Sequence, residues 1–341
     1  MNFWSHTSAV PSVWQTSGWA TLKPGYIRPS PPELLPNPVS DSYIFRATSV
    51  HQTSIVAFLE AYYGGSDWRI DTSGWFSNYM DDPTVIIMCL RKQNDILGVI
   101  VSTPLTSGKT YMSHGAVLTG MRVIEGLCIH PAYRNKGLAG VMINQIDHYT
   151  HTHLGPSAHL WSREMATAPL FSTALTTQKY GYIQCEDATY RVPCEQMLWN
   201  TFVTLWKASY TRWLLESPCI VTDTPSNRRG DLRVWMDNDS RVAVVANTRR
   251  KSGNDSFWEV VWCGEIINGI LWPAKSSSDY SQFLESVSAQ LGTGLLFTSD
   301  YIQTWNKPWV YGKSGFHSWH IYNYIPPAFR TCALHILREE L

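Results

Sequence analysis

The sequence has little charge and no excess of either sign. Its 341 residues include 27 Lys and Arg and 27 Asp and Glu, so the formal net charge is zero. Charged residues make up 16% of the chain, against about 25% in a typical soluble domain. The two signs are nearly balanced in each half of the chain as well. The basic field that non-specific nucleic-acid binding requires is therefore missing, and we expect no nucleic-acid partner.

Cysteine pairs and membrane segments are also missing. The seven cysteines are scattered, with no C-x-x-C pair and no even spacing, which predicts reduced thiols rather than a disulfide framework. The first residues show no basic segment followed by an apolar run, so we predict no signal peptide. No apolar stretch approaches the roughly 20 residues of a membrane span. These absences together predict a cytoplasmic protein with no membrane span.

Aromatic side chains, by contrast, are plentiful: they form 13% of the chain and include 16 Trp. Long disorder is not expected from such a composition. The length predicts either two domains or one large domain with a substantial core.

Apolar periodicity predicts alternating helices and strands. Helices are expected at 51–63, 137–153, 167–180, 197–217, 279–291 and 301–309. Strands are expected at 43–49, 84–92, 96–104, 121–130, 157–163, 231–236, 241–248, 257–266, 293–299, 316–325 and 332–337. The order of elements recurs approximately, which predicts an α/β fold built from two similar units. We place their boundary near residue 195, giving halves 1–195 and 196–341.

The segment Ile124–Gly140, IEGLCIHPAYRNKGLAG, has the pattern most directly linked to chemistry. A strand ends at His130-Pro131, and Arg134-x-x-Gly137-x-Ala139 then leads into an amphipathic helix. Small residues in such a turn let successive N–H groups point into one concavity at a helix N-terminus, where a pyrophosphate binds. Arg134 and Lys136 add positive charge for the anion. The spacing matches neither a Walker loop nor a dinucleotide fingerprint.

This strand–turn–helix pattern resembles the R-x-x-G-x-G/A motif of the GNAT acyltransferase superfamily, which binds the pyrophosphate of acyl-CoA. Four further segments are similar to N-myristoyltransferases. They are Phe3-Trp4-x-x-Thr7-x-x-Val10-Pro11, Leu22-Lys23-Pro24-Gly25-Tyr26, Leu127-Cys128-Ile129-His130, and Tyr311–Gly315 with Ile321-Tyr322-Asn323-Tyr324. Their order is that of the family, and they extend over nearly the whole chain. We therefore interpret the chain as a reduced, divergent relative of that family.

The resemblance implies two tandem GNAT-like units forming one saddle-like mixed sheet. The first half would bind acyl-CoA, the second a peptide with an N-terminal glycine. The co-substrate would be myristoyl-CoA, with no permanently bound cofactor and no metal, and the protein would be a monomer. The residues that the resemblance assigns to acyl-CoA binding are Phe3, Trp4, Leu127, Cys128, Ile129, Arg134, Asn135, Lys136, Gly137, Leu138 and Ala139.

The same resemblance implies an oxyanion hole formed by the backbone amides of Gly126 and Leu127, where the strand bulges. The general base of the family is the C-terminal carboxylate, here that of Leu341. Glu125 is the alternative, because simpler GNAT enzymes often hold a base at this position; an ordinary strand glutamate is equally consistent with the sequence. Ser162 aligns with a family threonine that contacts the incoming amine, although a satisfied strand serine is the other interpretation.

Four histidines, His148, His151, His153 and His159, could suggest zinc, but we find no cysteine or carboxylate that completes a ligand set and expect a solvated helix end. The sequence contains no G-x-S-x-G elbow, the motif that would indicate a hydrolase. Two alternatives to an N-myristoyltransferase-like enzyme stay open. One is a GNAT acetyltransferase that uses acetyl-CoA, and the other is a binding module for acyl-CoA or peptide without catalysis.

Overall fold

The structure is a computed structural model that describes most of the chain. The described residues are 25–26, 30–63, 69–70, 79–80, 82–105, 108–113, 117–118, 120–164, 174–183, 192–217, 219–227, 230–252, 255–275, 280–298, 315–322, 324–325 and 333–335.

Four longer helices and two 3₁₀ turns occur in the described residues. The helices are α1 (Gln52–Tyr62), α2 (Leu138–Leu154), α3 (Trp199–Glu216) and α4 (Ser281–Leu291), and the turns are Ser49–His51 and Pro131–Tyr133. Glycines in the left-handed region delimit two helices: Gly137 (φ +79°) precedes α2, and Gly292 (φ +66°) follows α4. A residue without Cβ adopts this backbone conformation at no steric cost.

The strands are short at the edges and long in the centre of the second half. In chain order they are β1 (Gly25–Tyr26), β2 (Ser42–Arg46), β3 (Arg69–Ile70), β4 (Ile86–Lys92), β5 (Asp95–Pro104), β6 (Thr110–Met112), β7 (Val117–Leu118), β8 (Arg122–Ile129), β9 (His159–Glu164), β10 (Ala174–Ile183), β11 (Cys194–Met197), β12 (Cys219–Thr222), β13 (Leu232–Asp237), β14 (Arg241–Ser252), β15 (Asp255–Ile267), β16 (Ile270–Pro273), β17 (Leu295–Thr298), β18 (Gly315–Tyr322), β19 (Tyr324–Ile325) and β20 (Ala333–His335).

One sheet of 14 strands runs through the described part of both halves. Its order is β11-β13-β14-β15-β17-β10-β18-β9-β8-β5-β4-β2, with β16 beside β15 and β3 beside β14. Most neighbours are antiparallel, but β8 with β9 and β15 with β17 are parallel. A four-stranded sheet (β20-β12-β6-β7) and the pair β1-β19 complete the strands.

The two halves of the sequence interleave in the large sheet. Strand β18, from the second half, lies between β9 and β10 of the first half. Strand β10 in turn pairs with β17 of the second half. Each half therefore completes the sheet of the other. The boundary near residue 195 stays a prediction about the sequence units.

Helices pack on both faces of the sheet. In the first half, α1 contributes Ile55, Phe58 and Leu59 to a core on one face, and α2 contributes Leu138, Met142 and Ile146 to a core on the other. Gly98 allows α2 to approach closely, since an added Cβ would lie 2.6 Å from Met142 Sδ. In the second half, α3 packs around a tryptophan cluster and α4 packs on the opposite face. Both faces of the strands are therefore apolar, as in α/β proteins.

The helix predicted at 167–180 is wrong in its described part. Residues 174–183, ALTTQKYGYI, form β10, which is hydrogen-bonded on both sides to β17 and β18. β-branched and aromatic residues favour a strand, and pairing on both sides outweighs the weak helical spacing of the apolar residues. The helix predicted at 301–309 lies outside the described residues.

Candidate functional site

Strand β8 contains a bulge at the position where the sequence predicts one. Opposite β5, Val101 pairs with Glu125 and Val99 with Cys128, so the two residues Gly126 and Leu127 face the single residue Ile100. Gly126 has φ +57°, a conformation that glycine adopts without strain. The role of this bulge in an oxyanion hole stays a prediction.

The backbone amides before and after the bulge face different edges of β8. The Arg122 N–H donates to Ala158 O on the β9 side (2.9 Å), whereas the His130 N–H donates to Leu97 O of β5 (2.8 Å). In a regular strand, the N–H groups of residues an even number apart point to the same edge. Arg122 and His130 are eight residues apart but bond to opposite sides, so the bulge between them interrupts the alternation of the N–H groups. Regular alternation on either side of the bulge would place the N–H groups of Gly126 and Leu127 on the edge that faces β9, and this placement stays a prediction.

Strands β8 and β9 separate just before this point. They pair in parallel through Arg122 with His159 and Val123 with Leu160, and the described residues show no pairing between them beyond. From there β8 follows β5, while β9 follows β18. The result is a gap between two parallel strands with the bulge on one side of it. Continuing the register places Ser162 of β9 level with Glu125 of β8.

The turn after β8 leads directly into α2. The Pro131–Tyr133 turn begins at His130, whose Nδ1 accepts a hydrogen bond from the Ala132 N–H (3.2 Å). Asn135 and Gly137 both have positive φ, of 60° and 79°. The first N–H groups of a helix have no intrahelical partner, and the first turn of α2 contains no acidic side chain. Together with the helix dipole, this arrangement suits an anion.

The two basic side chains of the turn have different surroundings. Arg134 Nε donates to Ile129 O (3.0 Å), and a terminal nitrogen of Arg134 donates to Tyr62 O (3.4 Å). Arg134 therefore holds the turn against the end of β8 and the end of α1. Lys136 Nζ lies 4.7 Å from the centre of the Tyr133 ring, a cation–π distance. Both residues are exposed.

The remaining residues assigned to acyl-CoA binding divide into buried and accessible ones. Cys128, Ile129 and Leu138 are buried, Leu127 is half-buried and Ala139 is exposed. Burial raises the pKa of the Cys128 thiol to about 12, and the charge of Arg134 opposes this only in part. Cys128 is thus a protonated core residue rather than a nucleophile.

Glu125 is buried on the face of the sheet covered by α1. Its Cα partner Val101 belongs to the core under α1, and its Oε1 accepts a hydrogen bond from Thr103 Oγ1 (3.3 Å). The carboxylate therefore lies beside the bulge but belongs to the face opposite α2. Ser162 is described only through its backbone, which pairs with Trp319 of β18. Phe3, Trp4 and Leu341 lie outside the described residues, so their assigned roles stay predictions.

Two features of this region were not predicted from the sequence. Tyr62 of α1 packs edge-on against His130 (4.6 Å between ring centres), and His130 in turn packs against Tyr133 (5.8 Å). These rings join the end of α1 to the turn. The only sequence signal was the tyrosine directly before Arg134. The second feature concerns the histidines: His151 and His159 are buried beside Asp147, so the expectation of a solvated helix end is wrong for these two.

Comparisons with known proteins show a common fold at very low sequence identity. No protein-family model and no curated protein matches the chain. A structure of Saccharomyces cerevisiae N-myristoyltransferase with bound myristoyl-CoA aligns with 97% of this chain and 94% of its own, at 10% identity and a TM-score of 0.66. A second structure of the yeast enzyme with myristoyl-CoA aligns with 97% and 89%, at 11% identity and a TM-score of 0.65. A GCN5-related N-acetyltransferase from Kribbella flavida aligns with 82% of this chain at a TM-score of 0.47.

The chain therefore has the α/β fold of yeast N-myristoyltransferase, and the predicted fold class is confirmed. No helix among the described residues combines the length and apolar character needed to cross a membrane. No group of three or more potential metal ligands occurs among them.

Proposed function

We propose that the chain is an acyl-CoA N-acyltransferase that transfers a myristoyl group to the N-terminal glycine amine of a protein or peptide. The observation that carries the proposal is the bulge in β8. It lies beside a gap between parallel strands, and the turn that leads into α2 follows directly. The shared fold with yeast N-myristoyltransferase supports the acyltransferase part, and the resemblance of the N-terminal and C-terminal segments supports the myristoyl and glycine parts.

The reaction forms an amide bond and breaks a thioester. The neutral amine nitrogen attacks the thioester carbonyl carbon, and the carbonyl oxygen becomes negative in the tetrahedral intermediate. The N–H groups of Gly126 and Leu127 would stabilise that oxygen, a contribution of about 10²–10³ in rate for each such donor. The C–S bond then breaks, coenzyme A leaves as a thiolate, and the amine proton passes to a base.

The base is either Glu125 or the C-terminal carboxylate of Leu341. A terminal amine has a pKa of about 7.7–8.0, so a carboxylate that is ionised at neutral pH suffices. Glu125 lies next to the bulge, which favours it, but on the sheet face under α1. Ser162, level with Glu125 across the gap, would orient the amine.

Acyl-CoA binding is proposed for the turn and its flanks. The N–H groups at the start of α2 would receive the pyrophosphate, Lys136 would approach it, and Arg134 would hold the turn in shape. Leu127, Cys128 and Ile129 would adjoin the acyl-CoA along the strand, and Phe3 and Trp4 would lie along it from the N-terminal segment. We further propose a cytoplasmic monomer with an acyl-CoA half at 1–195 and a peptide half at 196–341.

A coenzyme A release assay tests the proposal. The purified chain is given acetyl-, myristoyl- or palmitoyl-CoA together with a peptide that begins with glycine, and the N-acetylated peptide is the control. We expect coenzyme A to be released only when myristoyl-CoA is combined with the peptide that has a free N-terminal glycine. Release with acetyl-CoA alone would favour a GNAT acetyltransferase. Tight myristoyl-CoA binding without release would favour a binding module.

Two variants then assign the base. Glu125→Gln removes the strand carboxylate, and deletion of Arg338–Leu341 moves the terminal carboxylate four residues back, to Leu337. If Glu125 is the base, the first variant loses activity and the second keeps it; the reverse result assigns the terminus. Equal activity of both variants and the wild type would exclude both assignments.

A further inference from the structure

Four buried ionisable side chains meet where β8 and β9 begin to separate. Two lie on α2, one on β8 and one on β9, and their exposed fractions are between 1% and 5%. They are Arg122 (4%), Asp147 (1%), His151 (5%) and His159 (1%). Charged side chains are rarely buried to this extent unless they are paired. None of them takes part in the reaction proposed above.

Asp147 contacts both imidazoles. Its Oδ1 lies 3.1 Å from His151 Nδ1 and 3.4 Å from His159 Nδ1. His151 Nδ1 is also 3.1 Å from the Asp147 carbonyl oxygen. Because both neighbours of that nitrogen are acceptors, it carries the proton and donates. The carboxylate thus joins its own helix to the first residue of β9.

His159 contacts α2 through its other ring nitrogen as well. Nε2 lies 3.4 Å from the hydroxyls of Thr150, on α2, and Ser157, just before β9. Burial lowers the pKa of His159 to about 4; Asp147 acts against this shift, while Arg122 and His151 reinforce it. The ring is therefore neutral at neutral pH and bridges the helix and the strand with both of its nitrogens.

Arg122 completes the cluster from β8. It is the Cα partner of His159, and its guanidinium donates to Ser102 Oγ (2.7 Å), Ser102 O (2.7 Å) and Thr84 O (2.6 Å). Hence its side chain is anchored to β5 and to the residues before β4 while its backbone pairs with β9. The cluster connects α2, β8 and β9 at the base of the gap.

The position of this cluster relates it to both sides of the proposed site. The opposite end of α2 adjoins the turn for which we propose acyl-CoA binding, and β9 continues from His159 to Ser162. We propose that Asp147 and His159 are positioning residues that fix β9 relative to α2 and so set the distance across the β8–β9 gap. This inference rests on the proposed function for its kinetic consequence, but its structural part can be tested separately.

Kinetic measurements on His159→Gln and Asp147→Asn test the consequence. The matched controls are His153→Gln and Asp95→Asn, which make the same changes at exposed positions. Coenzyme A should bind both cluster variants within about twofold of the wild type, since the turn at the start of α2 is intact. Myristoyl transfer should have a kcat at least about tenfold lower, because small displacements of reacting groups are costly. A purely structural defect would instead lower the amount of active protein, and the kcat of the protein that remains folded would be unchanged.

Ser157→Ala is the milder variant, in case the first two fail to fold. It removes one of the two hydroxyls near His159 Nε2 and should lower kcat by a smaller factor at unchanged coenzyme A affinity. Unchanged kcat in every variant that folds would overturn the proposal, as would an equal loss of coenzyme A affinity.

Amide hydrogen exchange tests the structural part without any substrate. Exchange of residues 159–164 should be faster in the cluster variants than in the two controls, while exchange at 138–142 should not change. Equal exchange in β9 of variants and controls would overturn the positioning role. If wild-type protein binds no acyl-CoA, the proposed function fails, and the exchange result still decides the role of the cluster.

Discussion

At the residue scale, the proposed chemistry depends on a backbone position more than on a side chain. Gly126 has φ +57°, and with Leu127 it forms the two-residue side of the bulge. A side chain with a branched Cβ strongly disfavours this conformation. The identity of residue 126 therefore determines how readily this backbone conformation forms.

Gly126→Val should flatten the bulge and separate the two amides. We expect kcat/KM for myristoyl transfer to fall about 10²–10³-fold, the usual cost of an oxyanion donor. The matched control is Gly120→Val, at another positive-φ glycine (φ +78°), where an added Cβ meets no atom within 4 Å. Both variants should lose about 1–2 kcal/mol of stability from backbone strain. Similar kinetics in the two variants would contradict the role of the bulge.

His159 should make stability depend on pH in a defined window. Its pKa is about 4 in the folded protein and about 6.5 when unfolded, so the unfolded chain binds the extra proton between these values. The contribution of neutral His159 to the free energy of unfolding is fully present above about pH 6.5. The free energy of unfolding falls as the pH drops toward 4, by about 2–3 kcal/mol at pH 4.5. Urea unfolding at pH 7 and 4.5 measures this difference. In His159→Gln, the loss of stability between the two pH values should be smaller by the same amount. An identical pH dependence in wild type and variant would refute the assignment.

Some site residues were predictable because a single local pattern specifies them. The small and basic residues of the turn stand together before an amphipathic helix, and Gly126 lies within the strand pattern that precedes them. The Asp147–His159 contact has no such signal, because it joins residues on different elements. Asp147 and His151, four apart on one helix, were the only local indication. The alternation of polar and apolar residues around His159 does not predict that its side chain is buried, since both of its neighbours are also buried.

At the element scale, α2 also holds an extended segment along its side. Asn144 Oδ1 accepts from the Leu35 N–H (2.8 Å), and Asn144 Nδ2 donates to Glu33 O (3.0 Å). One turn later, His148 Nδ1 lies 2.8 Å from Pro32 O. The side-chain amide of Asn144 thus makes the same pair of hydrogen bonds with the backbone of this segment that a neighbouring strand would make.

Asn144→Ala should release this segment while leaving the sheet intact. Because Asn144 is 6% exposed, its loss leaves two backbone groups without that partner, at a cost of about 1–3 kcal/mol. Urea unfolding gives the loss of stability, and hydrogen exchange at Leu35 gives its location. Gln145→Ala, on the same helix, is the control and should change neither. Unaltered exchange at Leu35 would show that the segment is held by other contacts.

The predictability of elements follows their length and partners. Helices α1 to α4 and the central strands have clear periodicity and were predicted with small errors at their ends. Short strands such as β6 and β12, of three and four residues, contain too few residues for a pattern. The local pattern of β10 predicts a helix because the partners that make it a strand, β17 and β18, come more than 100 residues later in the chain. A property determined by distant partners is invisible in a local window.

At the scale of the whole molecule, the exchange of strands makes the two halves mutually dependent. Without β18, strands β9 and β10 would each present an unpaired edge, which is unfavourable in water. A fragment of residues 1–195 should therefore lack a cooperative unfolding transition, measured by circular dichroism in urea. Co-expression with residues 196–341 should restore it, with the intact chain as control. Cooperative unfolding of 1–195 alone would show that the first half is autonomous.

The central place of β18 also has a consequence during synthesis. The ribosome releases β9 and β10 well before residues 315–322, and at about 5–20 residues per second that interval is about 7–30 s. During this time the nascent chain holds two strand edges whose proper neighbour has not yet been made. Newly made chains should accordingly be the form most sensitive to aggregation and most dependent on chaperones.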